Sequence, residues 1–330
     1  MGALLSACGS PNNDISTLTG RRAAIVATNK ALTNNDCTGA IAIIEPLYNS
    51  VYSDNEIRLI YASAHGCNAG INFFTLVGDL VNSPPVGPML WTTLAELFYS
   101  NDQPTLDKRI ESSRRAQEAL MAITPSGAVV APIDLINGLT NNPGSLLAID
   151  RTADSNLYMS LVAMASLGAL QSRYSNPDTT TWLKQQVLGW TPGNTNGWAD
   201  ATDTLGDGCG FSASLLNMID SIDQISVDPG GSGGAAFAQM ISGLKPIMGD
   251  ICNAGCRGTP NAVIDGQTID FSGTGCTFTD NQCAGNGALS CLPEMRNRSS
   301  CTGVVTNRAS CAAAGIAQFV NTHLLWGWTP

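Results

Sequence analysis

Between residues 37 and 67 the apolar positions recur with a helical period, twice, on either side of a polar turn. Ala40, Ile41, Ile43, Ile44, Leu47 and Val51 mark one stripe from Cys37 to Ser50, and Asp36 stands where an N-cap belongs. Ser53-Asp54-Asn55-Glu56 reads as a capping box, with Ser53 as the cap, opening a second helix from Ile57 to Cys67. Leu59, Ile60, Ala62, Ser63 and Ala64 give that helix small packing positions. Pro46 removes a backbone donor and is expected to kink or break the first helix.

A helical hairpin of this size predicts a covalent bond. Two helices of about 14 residues are each about 21 Å long, so the first residue of one lies level with the last of the other. Axes about 9 Å apart, less about 2.3 Å of Cα radius on each side, leave about 4.5 Å between facing Cα atoms, within disulfide reach. Cys37 is therefore expected to pair with Cys67.

Beyond the hairpin, Leu106, Ile110, Leu120 and Ile123 form one face of a helix over about 106–123. Arg109, Arg114, Arg115 and Glu118 are assigned to its water side, and Glu111 supports Arg115 at i,i+4. Residues 157–170 are apolar nearly all round and predict a central helix. Further helices are expected at 182–188, 211–222, 235–244 and 312–326, separated by joints rich in Gly, Pro and Asn. After residue 250 long apolar runs vanish, cysteines crowd, and Val263, Ile264, Ile269, Phe271 and Phe278 allow one short β-hairpin. The fold class is mainly α: an irregular helical bundle or solenoid with a disulfide-rich, loop-dominated C-terminal segment. The expected divisions are 1–19, 20–250, 251–311 and 312–330, the last a helix returning to the helical domain.

Composition narrows the function. The chain has 330 residues, 44% of them apolar and only 13% charged, with a net charge of −10. That balance argues against nucleic acid or an anionic membrane surface as partner, and no basic cluster exceeds Arg21-Arg22 and Arg114-Arg115. Eleven cysteines are present. With Cys8 set aside the remaining ten pair evenly, as in an oxidising compartment. Cys209, Cys252, Cys256, Cys276, Cys283, Cys291, Cys301 and Cys311 leave their connectivity open. No Cys-x-x-Cys pair accompanies His65 or His323, so neither a zinc site nor any other metal or cofactor is expected.

Two stretches resemble known families. Pro46-Leu47-Tyr48, Asp54-Asn55-Glu56 and Tyr61-Ala62-Ser63-Ala64, on alanine-rich faces, resemble a tetratricopeptide-type helical pair. Asn156-Leu157-Tyr158-Met159 through Leu170, with small residues at 163, 165, 166, 168 and 169, is loosely similar to a central helix of the T-component lipoproteins of TRAP transporters. Leu5-Ser6-Ala7-Cys8 resembles the lipobox of bacterial lipoproteins, which implies a signal peptide cut before Cys8 and fatty acylation, palmitate included, of that cysteine. Only seven residues precede it, fewer than a signal peptide needs, so the true start is expected upstream. The polar run from Gly9 to Thr19 reads as a tether, and Gly9 rather than Asp implies sorting to the outer membrane, facing either the periplasm or the outside.

Other motifs carry less. Gly230-Gly231-Ser232-Gly233-Gly234 matches a nucleophile elbow, with His323 downstream, but no βαβ alternation exists to hold such a turn, and a flexible loop explains it. Asp200, Asp203 and Asp207 miss the EF-hand spacing and read as a solvated acidic loop. His65 is placed inside the hairpin, without a partner to act as base. Gly189-Trp190-Thr191-Pro192 returns as Gly327-Trp328-Thr329-Pro330, a helix stop in which Trp190 and Trp328 also offer a docking surface. These readings predict a non-catalytic, lipid-anchored scaffold or accessory subunit bound to the bilayer through Cys8 and to an envelope protein. The alternatives are a solute-binding transporter accessory with an apolar pocket between helices and, more remotely, a Ser232 hydrolase.

Overall fold

A computed structural model of the chain describes residues 14–71, 94–123, 153–175, 179–180, 207–225, 261–264 and 267–270. Within them lie six long helices: α1 (Leu18–Thr33), α2 (Cys37–Tyr48), α3 (Asn55–Asn68), α4 (Gln103–Met121), α5 (Ala153–Ser175) and α6 (Asp207–Ile225). One antiparallel hairpin joins β1 (Asn261–Ile264) to β2 (Gln267–Asp270), pairing Ile264 with Gln267. The expectation of a mainly helical fold with one short hairpin holds for these residues.

Each helix begins and ends for local reasons. The Thr17 hydroxyl accepts the Gly20 N–H at 3.0 Å, so α1 takes in the last two residues of the expected tether, Leu18 and Thr19. Asn35 closes α1 in the left-handed region, φ 57°. The Asn35 and Asp36 N–H groups then donate back to the Leu32 and Ala31 carbonyls, a Schellman ending. Asp36 caps α2 as expected, its carboxylate accepting the Gly39 N–H at 2.9 Å. The cap of α3 differs from expectation. Asp54, not Ser53, accepts the Ile57 N–H, at 2.9 Å. Ser53 is instead buried, and its carbonyl faces Arg58.

Pro46 does not break α2, which runs on to Tyr48. The carbonyl it leaves without a donor is that of Ala42, and Ala42 and Pro46 both lie on the exposed side, where water can take the place of the missing N–H. α4 starts at Gln103, earlier than 106, because Asp102 caps it and Pro104 sits in its first turn, where no backbone donor is needed. α5 and α6 likewise extend several residues past both predicted ends.

Packing is mainly between neighbours in sequence: α1 on α2, α2 on α3, α3 on α4, α4 on α5 and α5 on α6. Polar bonds fix the sense of adjacent helices. Arg58 at the start of α3 meets the end of α4, Asn68 at the end of α3 donates to Ser112 of α4 at 2.7 Å, and Arg173 near the end of α5 pairs with Asp107 near the start of α4. α3 and α5 are thus both antiparallel to α4. A core of Ile44, Leu47, Ile57, Tyr61, Ala62, Ala116, Leu120, Met159 and Val162 runs through α2 to α5. Small residues set close approaches. A Cβ at Gly66 would overlap the Tyr158 hydroxyl, and one at Gly168 would overlap the Leu94 carbonyl.

α5 and α6 are buried along most of their described length although they carry many polar side chains. Gln117 of α4 donates to Ser214 of α6 at 3.0 Å, Ser214 donates to Ser166 of α5 at 2.8 Å, and Asn217 donates to Gln117 at 2.9 Å. This chain registers three helices against one another. A displaced α6 would leave several buried groups unpaired, at about 1–3 kcal/mol each.

Candidate functional site

Cys37 is the first residue of α2, and Cys67 lies in the last turn of α3. Their antiparallel packing brings the Cα atoms to 5.4 Å and closes the disulfide, as the hairpin arithmetic predicted. Both cysteines remain half-exposed. They form one wall of an open cleft of about 320 Å³ with Asn35, Asp36, Thr38 and Gly70, faced by Lys108 and Arg109 of α4. Arg109 is held by the Phe98 and Tyr99 carbonyls, to which its Nη1 donates at 2.8 and 3.0 Å. Lys108 is exposed.

Behind the cleft, between α2, α3 and α4, charges and rings interlock. Arg114 bridges Glu111 and Glu118, while Arg115 reaches Glu111 and Glu45 at 3.0 Å each. The i,i+4 support of Arg115 by Glu111 is therefore present. Arg109, Arg114, Arg115 and Glu118 do not simply face water: Arg109 donates to the Phe98 and Tyr99 carbonyls, Arg115 reaches Glu45 of α2, and Arg114 and Glu118 border a small cavity with Gly210 and Ala213 of α6. Arg115 also donates to the Tyr61 hydroxyl at 3.4 Å, Tyr61 stacks on Tyr48 with ring centroids 3.8 Å apart, and His65 meets the Tyr61 ring edge-on at 4.4 Å.

The electrostatics follow from this geometry. Burial pushes the Glu111 carboxyl up, but hydrogen bonds and charge from Arg114 and Arg115 outweigh it and hold the group at about 2. Burial, reinforced by the nearby charge of Arg115, pushes His65 down to about 4. Burial raises the Tyr48, Tyr61 and Tyr158 hydroxyls, so all stay protonated. His65 is 4% exposed, and neither ring nitrogen has a hydrogen-bond partner. The cluster is suited to fastening α4 onto the hairpin.

A pH effect on stability follows. The folded state binds the His65 proton more weakly than the unfolded chain, whose value is 6.5. Its contribution is complete above pH 6.5 and is lost as pH falls toward 4. Between pH 7 and pH 5 the expected loss is about 2 kcal/mol, and Glu111 adds its own loss only below about pH 4.5. Urea unfolding at the two pH values checks this, with His65→Phe expected to remove most of the difference while keeping the ring contact.

Cys8, Trp190, Ser232, His323 and Trp328 lie outside the described residues, as do the helices expected at 182–188, 235–244 and 312–326 and the cysteines from 252 onward. Cys209 falls in the first turn of α6. Among the described residues no group of three or more His, Cys, Asp or Glu could hold a metal ion, and no helix is long and apolar enough to cross a membrane. Comparison with protein families, curated proteins and solved structures returned no match.

Proposed function

We propose that this protein is an exported, non-catalytic scaffold: a mainly helical body, stapled by disulfides, tethered to the bacterial outer membrane through acylated Cys8 and holding a protein partner of the envelope. The order of packing carries this reading. Helices that lie chiefly against their neighbours in the chain are the arrangement from which helical repeats build the surfaces that hold other proteins. The Cys37–Cys67 bond supports export, because such bonds persist in oxidising compartments. Apolar exposure also favours a partner for the first hairpin. Leu18, Val26, Val51 and Tyr52 are 56%, 67%, 78% and 39% exposed, all on α1 or the turn after α2. Among the described residues, a cavity lined by residues of α4, α5 and α6, including Ile110, Gln117, Ser166 and Ser214, has a volume of about 20 Å³, room for a water molecule rather than a hydrophobic ligand.

The test is in-cell cross-linking followed by capture from detergent-solubilised membranes, comparing the native chain with a Val26→Asp/Val51→Asp variant. A stoichiometric protein cross-linked to the native chain and lost with the variant is the expected result. A chain that emerges alone, or with a small molecule in place of a protein, overturns the scaffold reading.

A further inference from the structure

Beyond a structural staple, we propose that the Cys37–Cys67 disulfide is an exchange site for small anionic thiols, with Cys67 as the attacked sulfur and Cys37 as the leaving thiolate. The bond is half-exposed on the wall of a cleft of about 320 Å³, within the size range of small-ligand sites. Lys108 and Arg109 face it across the cleft, against the single carboxylate of Asp36, so the lining carries a net positive charge. Asp36 is engaged with the Gly39 N–H.

The two sulfurs are not equivalent, and the helices make them so. Cys37 stands at the N-terminus of α2, where the helix dipole favours a negative charge. Cys67 lies in the last turn of α3, where the dipole opposes one. The Asn35 side-chain amide is 3.8 Å from Cys67 Sγ and 3.9 Å from Cys37 Sγ. Its NH2 group has the shape of its oxygen and can turn to donate to a thiolate there.

The step balances without a further reagent. An external thiolate attacks Cys67 Sγ in line with the S–S bond, and a new S–S bond forms as the Cys37–Cys67 bond breaks. The bonding pair leaves on Cys37 Sγ as thiolate. Attack by Cys37 on the mixed disulfide at Cys67 reverses the step and expels the thiol.

The oxidised full-length protein is incubated without denaturant with glutathione, net anionic, or with cysteamine, cationic, at equal thiolate concentration. Free thiols are then alkylated and the Cys37 and Cys67 peptides are read by mass spectrometry. The expected result is the mixed disulfide on Cys67 and the alkyl group on Cys37, forming about two- to fivefold faster with glutathione, as one exposed charge pair allows. Lys108→Glu, at an exposed position, is expected to remove or reverse that preference. A mixed disulfide mainly on Cys37, equal rates for both thiols, or no exchange in the folded protein overturns the proposal.

Discussion

Replacing Arg58 with alanine lowers the stability of the helical body by about 3 kcal/mol or more, the largest single-residue effect expected outside the disulfide. Arg58 is 1% exposed, among the most deeply buried side chains described. Its Nη1 donates to the Ala122 carbonyl at 2.7 Å and to Asn55 Oδ1 at 3.0 Å, and its Nη2 to the Ser53 carbonyl at 3.4 Å. Ala122 is the C-cap of α4, so the guanidinium satisfies an orphan carbonyl where the helix dipole is negative. Burial disfavours the charge, and Asp54 partly offsets that cost. Truncation removes the donor while the acceptors stay buried, and it opens a cavity. Arg58→Met keeps much of the volume without the donors and is expected to lose nearly as much. Urea unfolding followed by circular dichroism reads both, and a loss below about 1 kcal/mol for Arg58→Met would show that packing of the side chain, not its hydrogen bonds, holds α4 in place.

The second large effect belongs to the staple. Converting Cys37 and Cys67 together to alanine is expected to cost about 3.5 kcal/mol, the chain-entropy value for a loop of this length, since the bond spans a separation of 30 residues. The effect resides in the unfolded chain, which gains freedom, so the contacts of α2 with α3 should survive. Calorimetry of the double variant and the parent measures the loss, and spectra of the folded forms should coincide. A near-zero cost would mean that the hairpin remains closed by packing alone in the unfolded ensemble.

The hairpin was legible because its signals are local. Ile44, Leu47, Ile57 and Ala62 recur at helical spacing, Asp36 caps where a short polar side chain should, and helix length alone sets Cys37 against Cys67. The rest depends on partners far along the chain. Nothing local marks Arg58 for burial, because its acceptor, the Ala122 carbonyl, lies 64 residues away. Arg115 looks solvated because Glu45, 70 residues before it, is invisible from within α4. The cleft joins three elements and has no sequence signature, although a basic pair, Lys108-Arg109, opposite a predicted disulfide was a usable hint. Capping chemistry misled at Ser53, where two adjacent residues, Ser53 and Asp54, both qualify and burial of the first decided for the second. Pro46 misled because its cost depends on whether the orphaned carbonyl can reach water, a property of the folded surface.

The most direct measurement is peptide mapping by mass spectrometry of the chain isolated from its native cell envelope, with free thiols alkylated at the moment of lysis. An exported, membrane-tethered scaffold predicts an N-terminal peptide that begins at Cys8 and carries acyl chains, together with a Cys37–Cys67 cross-linked peptide in the membrane fraction. A soluble chain with unacylated Cys8 and with Cys37 and Cys67 both alkylated would contradict it.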